Sequence, residues 1–324
     1  MKAAVYARYG PSDVVQITDV EKPVPSDNEV LLKVRAASVN PLDSHLLRHP
    51  FLRRILSARS KRKITGPGRD VAGEVEAVGG KVTRFKPGDA VFGACGGAFA
   101  EYACAAESAL AIKPENVTFE QAASAPVAGL TALQGMRDKG QVQPGQKVLI
   151  NGAAGGVGTF AVQVAKSLGA EVTGICSTRN VEMLRSIGAD RVVDYTQEDV
   201  TRGGQKYDLI FDLVANHSFS ARTRLLNPQG IYIGAGMLGL DGSVGGILAR
   251  LIVELVLWRF VSQRSVSLMA KLNPDDLTSL GELMSSGKVT PVIDRRYRLD
   301  EVAEAIRYLE EKHARGKVVI TLGG

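Results

Sequence analysis

At 324 residues, with 45% hydrophobic and 23% charged residues, the chain is long enough for two packed domains and too ordinary in composition for wholesale disorder. Its 35 glycines against 9 Phe, 8 Tyr and 1 Trp suit an α/β protein with many tight strand-to-helix turns and exclude a fibre. Three cysteines (Cys95, Cys104, Cys176) exclude a disulfide framework and a four-cysteine zinc lobe, while the net charge of +6 is too moderate to name a partner class.

The chain opens on the strand-like Ala3-Ala4-Val5-Tyr6, with no charged head, apolar stretch and cleavage site of a secretory signal, so a reducing, cytoplasmic compartment is expected. Short β-prone runs follow at 30–34, 73–78, 90–93 and 98–103, separated by Pro, Gly and Asn, with a turn at Lys86-Pro87-Gly88-Asp89. They predict an antiparallel, partly open β-barrel domain. From about residue 121 the period changes. Lys147-Val148-Leu149-Ile150 reads as a buried strand, and Val157, Phe160, Ala161, Val164 and Leu168 then recur at helical spacing. Strands and helices alternate from there, which implies a doubly wound parallel sheet. Strand character returns at 289–297, followed by a helix over 299–311 and a strand over 317–322. The expected division is a catalytic domain of residues 1–122 and 289–324 around a nucleotide-binding domain of 123–288.

Asn151-Gly152-Ala153-Ala154-Gly155-Gly156-Val157-Gly158 lies between a predicted strand and a predicted helix, the context in which a glycine cluster reads as a dinucleotide fingerprint. Gly155 lets backbone approach a pyrophosphate, Gly158 lets the helix pack closely on the sheet, and the helix amino terminus holds the phosphates. Ala153 stands where the pattern has its first Gly, and Ala153, Gly155, Gly156 and Val157 are the expected phosphate contacts. An NAD-preferring site carries an acid at the end of the second strand. Here the residues are Cys176-Ser177-Thr178-Arg179-Asn180. Ser177 and Arg179 suit a 2′-phosphate, Tyr195 stands on the adenine side, and NADP(H) is the expected cofactor.

The chain resembles the zinc-independent quinone oxidoreductase branch of the medium-chain dehydrogenase/reductase superfamily. The matching pieces are Ala36-Ala37-Ser38-Val39-Asn40-Pro41-Leu42-Asp43, Gly66-Pro67-Gly68-Arg69-Asp70-Val71-Ala72-Gly73, Phe85-Lys86-Pro87-Gly88-Asp89, Gly129-Leu130-Thr131-Ala132, the glycine loop, and Gly316-Lys317-Val318-Val319. They run in family order over nearly the whole chain. The resemblance implies a GroES-like domain formed by both chain ends with a Rossmann domain inserted. It also implies a homodimer, a small quinone or α,β-unsaturated carbonyl (enone or alkenal) substrate, and Asn40 and Thr131 beside the nicotinamide. Gly234 and Lys317 complete the residues expected at the cofactor. Zinc alcohol dehydrogenases carry a Cys and a Gly-His-Glu segment where this chain has Asn40 and Arg69-Asp70. Arg cannot ligate zinc, so no catalytic metal is expected. Without a Lewis acid, hydride transfer to an electron-poor acceptor is the chemistry that needs least help. An alcohol or ketone dehydrogenase, and a non-catalytic NADPH-binding sensor or RNA-binding relative, are the alternatives.

His45 is a candidate hydrogen-bond donor to the acceptor oxygen, set against a partly exposed loop histidine. Asp43 is expected to bond backbone at the turn. Two segments stay open. Residues 44–69 contain no acid and eight basic residues. They read as a solvated loop or an anion-attracting lid, and the near-absence of aromatics argues against nucleic acid. Residues 244–261 are apolar apart from Arg250, Glu254 and Arg259, which fits a buried or interface helix and leaves peripheral membrane contact open.

Overall fold

The computed structural model describes residues 1–48, 66–235, 257–311 and 314–323. Most of the basic stretch and most of the apolar segment 244–261 lie outside the described residues. The chain divides into two compact units, one of residues 1–130, 272–287 and 291–324, the other of 131–271 with 288–290.

In the first unit β1 (Lys2–Val5) and β2 (Gln16–Asp19) form an antiparallel pair. The main sheet is built from β3 (Glu29–Val39), β4 (Asp70–Val78), β5 (Ala90–Ala94), β6 (Tyr102–Ala106), β7 (Leu110–Ile112) and two strands from the far end of the chain, β14 (Ile293–Arg298) and β15 (Lys317–Thr321). Its order is β14-β15-β3-β4-β5-β7, with β6 also paired on β3. Every ladder is antiparallel except β14 on β15. Leu32, Val34, Val71, Val91, Phe99 and Val318 fill the core. β3 is buried at nearly every position, because α2 (Phe119–Ser124) packs against β3 and β4 as well. Thr118 starts α2 with a reciprocal capping box to Gln121. This unit also holds α1 (Pro41–Arg48), α7 (Pro274–Ser285) and α8 (Val302–Glu310).

The second unit is a six-stranded, all-parallel sheet. Its strands are β8 (Lys147–Asn151), β9 (Glu171–Cys176), β10 (Arg191–Asp194), β11 (Tyr207–Asp212), β12 (Leu226–Ala235) and β13 (Arg264–Leu268), in the order β10-β9-β8-β11-β12-β13. Helices α4 (Gly156–Ser167), α5 (Val181–Ser186) and α6 (Phe219–Leu225) connect them. The strand order reverses between β8 and β11, and the carboxyl ends of strands at such a switch point are where α/β sheets bind ligands.

Contacts divide the chain differently from the expected boundaries at 122/123 and 288/289. Residues 123–130 and 272–287 belong to the first unit. The reason is packing: α7 lies against β7, and on α3 (Pro126–Leu133) a Cβ at Gly129 would come within 2.5 Å of Leu280 on α7. The returning strand β14 spans 293–298 instead of 289–297.

Candidate functional site

The nucleotide cradle is built by backbone. β8 ends at Asn151, and Gly152 then takes φ +84°, a left-handed turn that favours glycine. Gly155 caps α4 without any side-chain hydrogen bond. The first intrahelical bond runs from Thr159 N–H to Gly155 O, so the amides of Gly156, Val157 and Gly158 have no partner within the helix. These are donors that an anion takes up, reinforced by the helix dipole. A Cβ on Gly158 would stand 2.2 Å from Gly152 O, so this position admits only glycine. A Cβ on Gly155 would meet nothing nearer than Gly152 O at 3.5 Å, and the space beside it is open. The cradle therefore fits a dinucleotide pyrophosphate.

Ala153, the departure from the glycine pattern, is accommodated from across the sheet. It is fully buried, its N–H bonds Ile175 O, and a Cβ on Gly174 of β9 would lie 3.1 Å from the Ala153 methyl. Gly174 escaped the sequence reading, although a glycine inside an apolar strand is the usual sign of close backbone approach.

At the end of β9 the structure brings Ser177, Arg179 and Tyr195 into one neighbourhood. Tyr195 N–H bonds Cys176 O, Asp194 pairs with Cys176 across the ladder, and Arg179 and Tyr195 are exposed. Ser177 accepts from Asn180 Nδ2 at 3.2 Å. Gly234 pairs with Asp212 one strand beyond the switch point. Asp212 is 1% exposed and organises the adjoining loop: it accepts from Asn151 Nδ2, the Val214 and Ala215 amides, and the Tyr232 hydroxyl. Burial and the neighbouring Asp212 push the Tyr232 hydroxyl well above its ordinary pKa. Neither Asn151 nor Asp212 was singled out from sequence, since a polar residue at the end of an apolar strand looks like a strand terminus. Thr131 lies on α3, 8% exposed, just before the helix widens into a π-helical turn at Gln134–Lys139.

In the first unit the structure gathers Asn40, Asp43, Asp70 and Lys317, none more than 3% exposed. Ser38 and Asp70 face each other across β3 and β4, and Val318 pairs with Val39, so Lys317 and Asn40 meet at the same end of the sheet. Lys317 Nζ donates to Asn40 Oδ1 at 2.7 Å and to Asp70 Oδ2 at 3.3 Å. Asn40 Nδ2 donates to Asp70 Oδ2 at 2.9 Å and to Ser38 O at 3.4 Å. The Ser38 hydroxyl and the Val127 amide complete the Asp70 carboxylate. The expected position of Lys317 at the cofactor thus meets an ammonium turned into the protein, held by Asn40 and Asp70.

Asp43 accepts from the Asn40 N–H through Oδ2 at 2.8 Å, as expected of a turn residue, while its buried Oδ1 has no hydrogen-bond partner. Burial pushes its carboxyl up to about 7, with Asp70 adding to the rise and the Asn40 bond, Lys317 and Arg69 opposing it. His45, half-buried, lies two residues further along α1.

Residues 26–115 match the alcohol dehydrogenase GroES-like domain, and residues 187–320 match a family described as zinc-binding dehydrogenase. The donors here do not fit a catalytic zinc. Asn40 offers an amide that is already bonded, Asp70 is taken up by Lys317, and Arg69 cannot ligate. Among the described residues no group of three or more His, Cys, Asp or Glu is placed to hold a metal ion.

The chain is 34% identical to an NADPH-dependent alkenal/one oxidoreductase, chloroplastic, of Arabidopsis thaliana, over 99% of this chain and 79% of the relative. It is 34% identical to a 2-methylene-furan-3-one reductase of Solanum lycopersicum, with the same coverage of 99% and 79%. The solved quinone oxidoreductase of Coxiella burnetii superposes with a TM-score of 0.87 at 33% identity, covering 100% of this chain and 99% of that one. The chain belongs to the quinone and alkenal oxidoreductase branch of the medium-chain dehydrogenase/reductase superfamily.

Proposed function

We propose that this protein is an NADPH-dependent oxidoreductase that reduces quinones or α,β-unsaturated carbonyl compounds by hydride transfer without zinc. The observation that carries the reading is the cradle at 152–158, opening α4 beside a β9 end that holds Ser177 and Arg179 and no acid. The names of the relatives support the same cofactor and acceptor classes. The bound dinucleotide supplies the hydride.

The chain's own residues do the rest. The amides at the start of α4 hold the pyrophosphate, and Arg179 with Ser177 binds the 2′-phosphate through charge-assisted hydrogen bonds. Asn40 and Thr131 orient the nicotinamide, and His45 donates to the acceptor oxygen as negative charge builds there. Zinc-free chemistry is supported by Lys317, whose ammonium occupies the donors a metal would need.

A homodimer through β13 is supported by that strand's place at the sheet edge and by exposed Phe260 and Met269 on either side of it. Buried Cys95 and Cys176, whose thiols burial pushes up to about 12 and about 11, are free and fit a reducing, cytoplasmic compartment. No helix among the described residues is long and apolar enough to cross a membrane. Peripheral membrane contact through the basic and apolar segments is tested by co-sedimentation with anionic vesicles.

The deciding measurement is NADPH oxidation against a quinone, an enone and a simple ketone in chelator-treated buffer, with NADH in parallel. Turnover of the quinone or enone is expected. Turnover of the ketone alone supports a dehydrogenase instead, and tight NADPH binding with no turnover supports a sensor. His45→Ala should lower kcat about 10- to 100-fold with unchanged NADPH affinity, and unchanged steady-state kinetics would remove His45 from the mechanism.

A further inference from the structure

The buried ion pair of the first unit is poorly explained by stability. Taking an ammonium and a carboxylate out of water costs several kcal/mol each, and well-packed apolar side chains of similar volume do as well or better. What the pair does is impose one orientation on a carboxamide. Asn40 Oδ1 faces the Lys317 ammonium and Asn40 Nδ2 faces the Asp70 carboxylate. The flipped amide would set N–H against ammonium and oxygen against carboxylate, so the assignment is forced by charge.

Two local features show that the chain is arranged around this contact. Asn40 immediately precedes α1, where an Asn ordinarily turns its side-chain oxygen onto the first amides of the helix. Here that oxygen accepts from Lys317, and the helix start is served by Asp43 accepting from the Asn40 N–H. Lys317 is in turn delivered by Gly316, which takes φ +88° and where a Cβ would stand 2.3 Å from Val292 O. Both hydrogens of the Asn40 amide are used within the unit. Its spare capacity is one lone pair on Oδ1, an acceptor suited to an N–H donor such as a nicotinamide carboxamide.

We infer that Lys317 is a positioning residue for hydride transfer: its ammonium, bonded to Asn40 Oδ1 and balanced by Asp70, locks the Asn40 carboxamide in the orientation that presents this lone pair. The inference rests on the reading above that Asn40 serves the nicotinamide. Lys317 touches neither cofactor nor acceptor in this role and acts through Asn40.

The test is the charge-balanced variant Asp70→Asn/Lys317→Met, measured for melting temperature, NADPH affinity and kcat with the quinone or enone that the wild-type chain reduces. The single variant Lys317→Met leaves a buried carboxylate unpaired and is expected to melt well below the double one. The double variant is expected to bind NADPH within about threefold of wild type while kcat falls about 30- to 100-fold, the effect of a misaligned contact. Lys317→Arg, which keeps the charge and a donor, should rescue part of that turnover. A folded double variant with wild-type kcat overturns the inference, and so does one whose defect is confined to NADPH affinity, which would make Lys317 a cofactor contact. If the double variant does not fold, Lys317→Arg decides: a folded chain with most of its turnover upholds the inference and a folded chain without it overturns it. Absence of turnover in the wild-type chain would instead sink the proposed function, so the two failures are told apart.

Discussion

The cradle at 152–158 and the cluster around Asp70 are both polar constructions at the ends of strands, yet they are built in opposite ways. In the cradle the Gly156, Val157 and Gly158 amides have no partner within their helix, and glycine keeps side chains out of their way. Around Asp70 nearly every donor and acceptor is closed on a partner, and the cluster carries its own cation. The first arrangement is completed by a ligand. The second is closed on itself apart from the bare Asp43 Oδ1 and the second lone pair of Asn40 Oδ1, so its contribution to chemistry lies in holding shape. A polar cluster in a fold of this kind is thus read by asking which of its hydrogen bonds remain to be made.

Four changes break or sharpen this contrast. The largest effect is expected from Gly158→Ala. The added methyl meets backbone at 2.2 Å, which cannot yield as a side chain would, and should forfeit NADPH binding together with about 3 kcal/mol or more of stability. Fluorescence titration with NADPH and urea unfolding check it, and a variant that binds normally would mean that the helix start shifts freely.

Next comes the titration of Asp43. Its carboxyl is raised to about 7 in the folded chain, from an ordinary value near 3.8. Between those limits the folded state keeps a proton that the unfolded chain has released. Asp43 therefore contributes stability that is fully present below about pH 4 and lost as pH rises through about 7, roughly 4 kcal/mol in all. Urea unfolding at pH 5 and pH 8 should show the decline, and Asp43→Asn should flatten it. Asp190 and Asp194, both held below their ordinary values, lose their contributions only on the acid side and leave this window alone.

Arg179→Ala should raise the Kd for NADPH about tenfold, near 1.4 kcal/mol, and leave that for NADH almost unchanged, because Arg179 is assigned to the 2′-phosphate alone. Equal effects on both cofactors would remove it from the phosphate site. The smallest effect is a gain. Ala215 holds φ +57° beside Asp212, and Ala215→Gly should stabilise the chain by roughly 0.5–1 kcal/mol by relieving a left-handed alanine. A loss of stability on that substitution would show that flexibility in the unfolded chain outweighs the strain.

Much of this was legible beforehand, for local reasons. Strand-to-helix alternation announced the parallel sheet, and the glycine spacing between a strand and a helix announced the cradle, because both are properties of neighbouring residues. Asp43 was recognised as a turn residue on the same ground. The roles of Asp70 and Lys317 were hidden. Asp70 was read only as standing, with Arg69, where zinc dehydrogenases carry His-Glu, and Lys317 was expected at the cofactor; nothing in the order of residues says that the two meet at Asn40. Gly174 likewise gains its meaning only from Ala153 on the next element. The contact units depart from the expected division at residues 123–130 and 272–287, because helix periodicity does not say which sheet a helix covers.

The order of residues alone determined the two architectures, the dinucleotide cradle and the absence of an acid after the second parallel strand. Only the tertiary structure decided that Lys317 turns inward. A strand 277 positions away from Asn40 pairs beside it, and the low dielectric of the site makes a buried ammonium stable only where an amide oxygen and a carboxylate already wait.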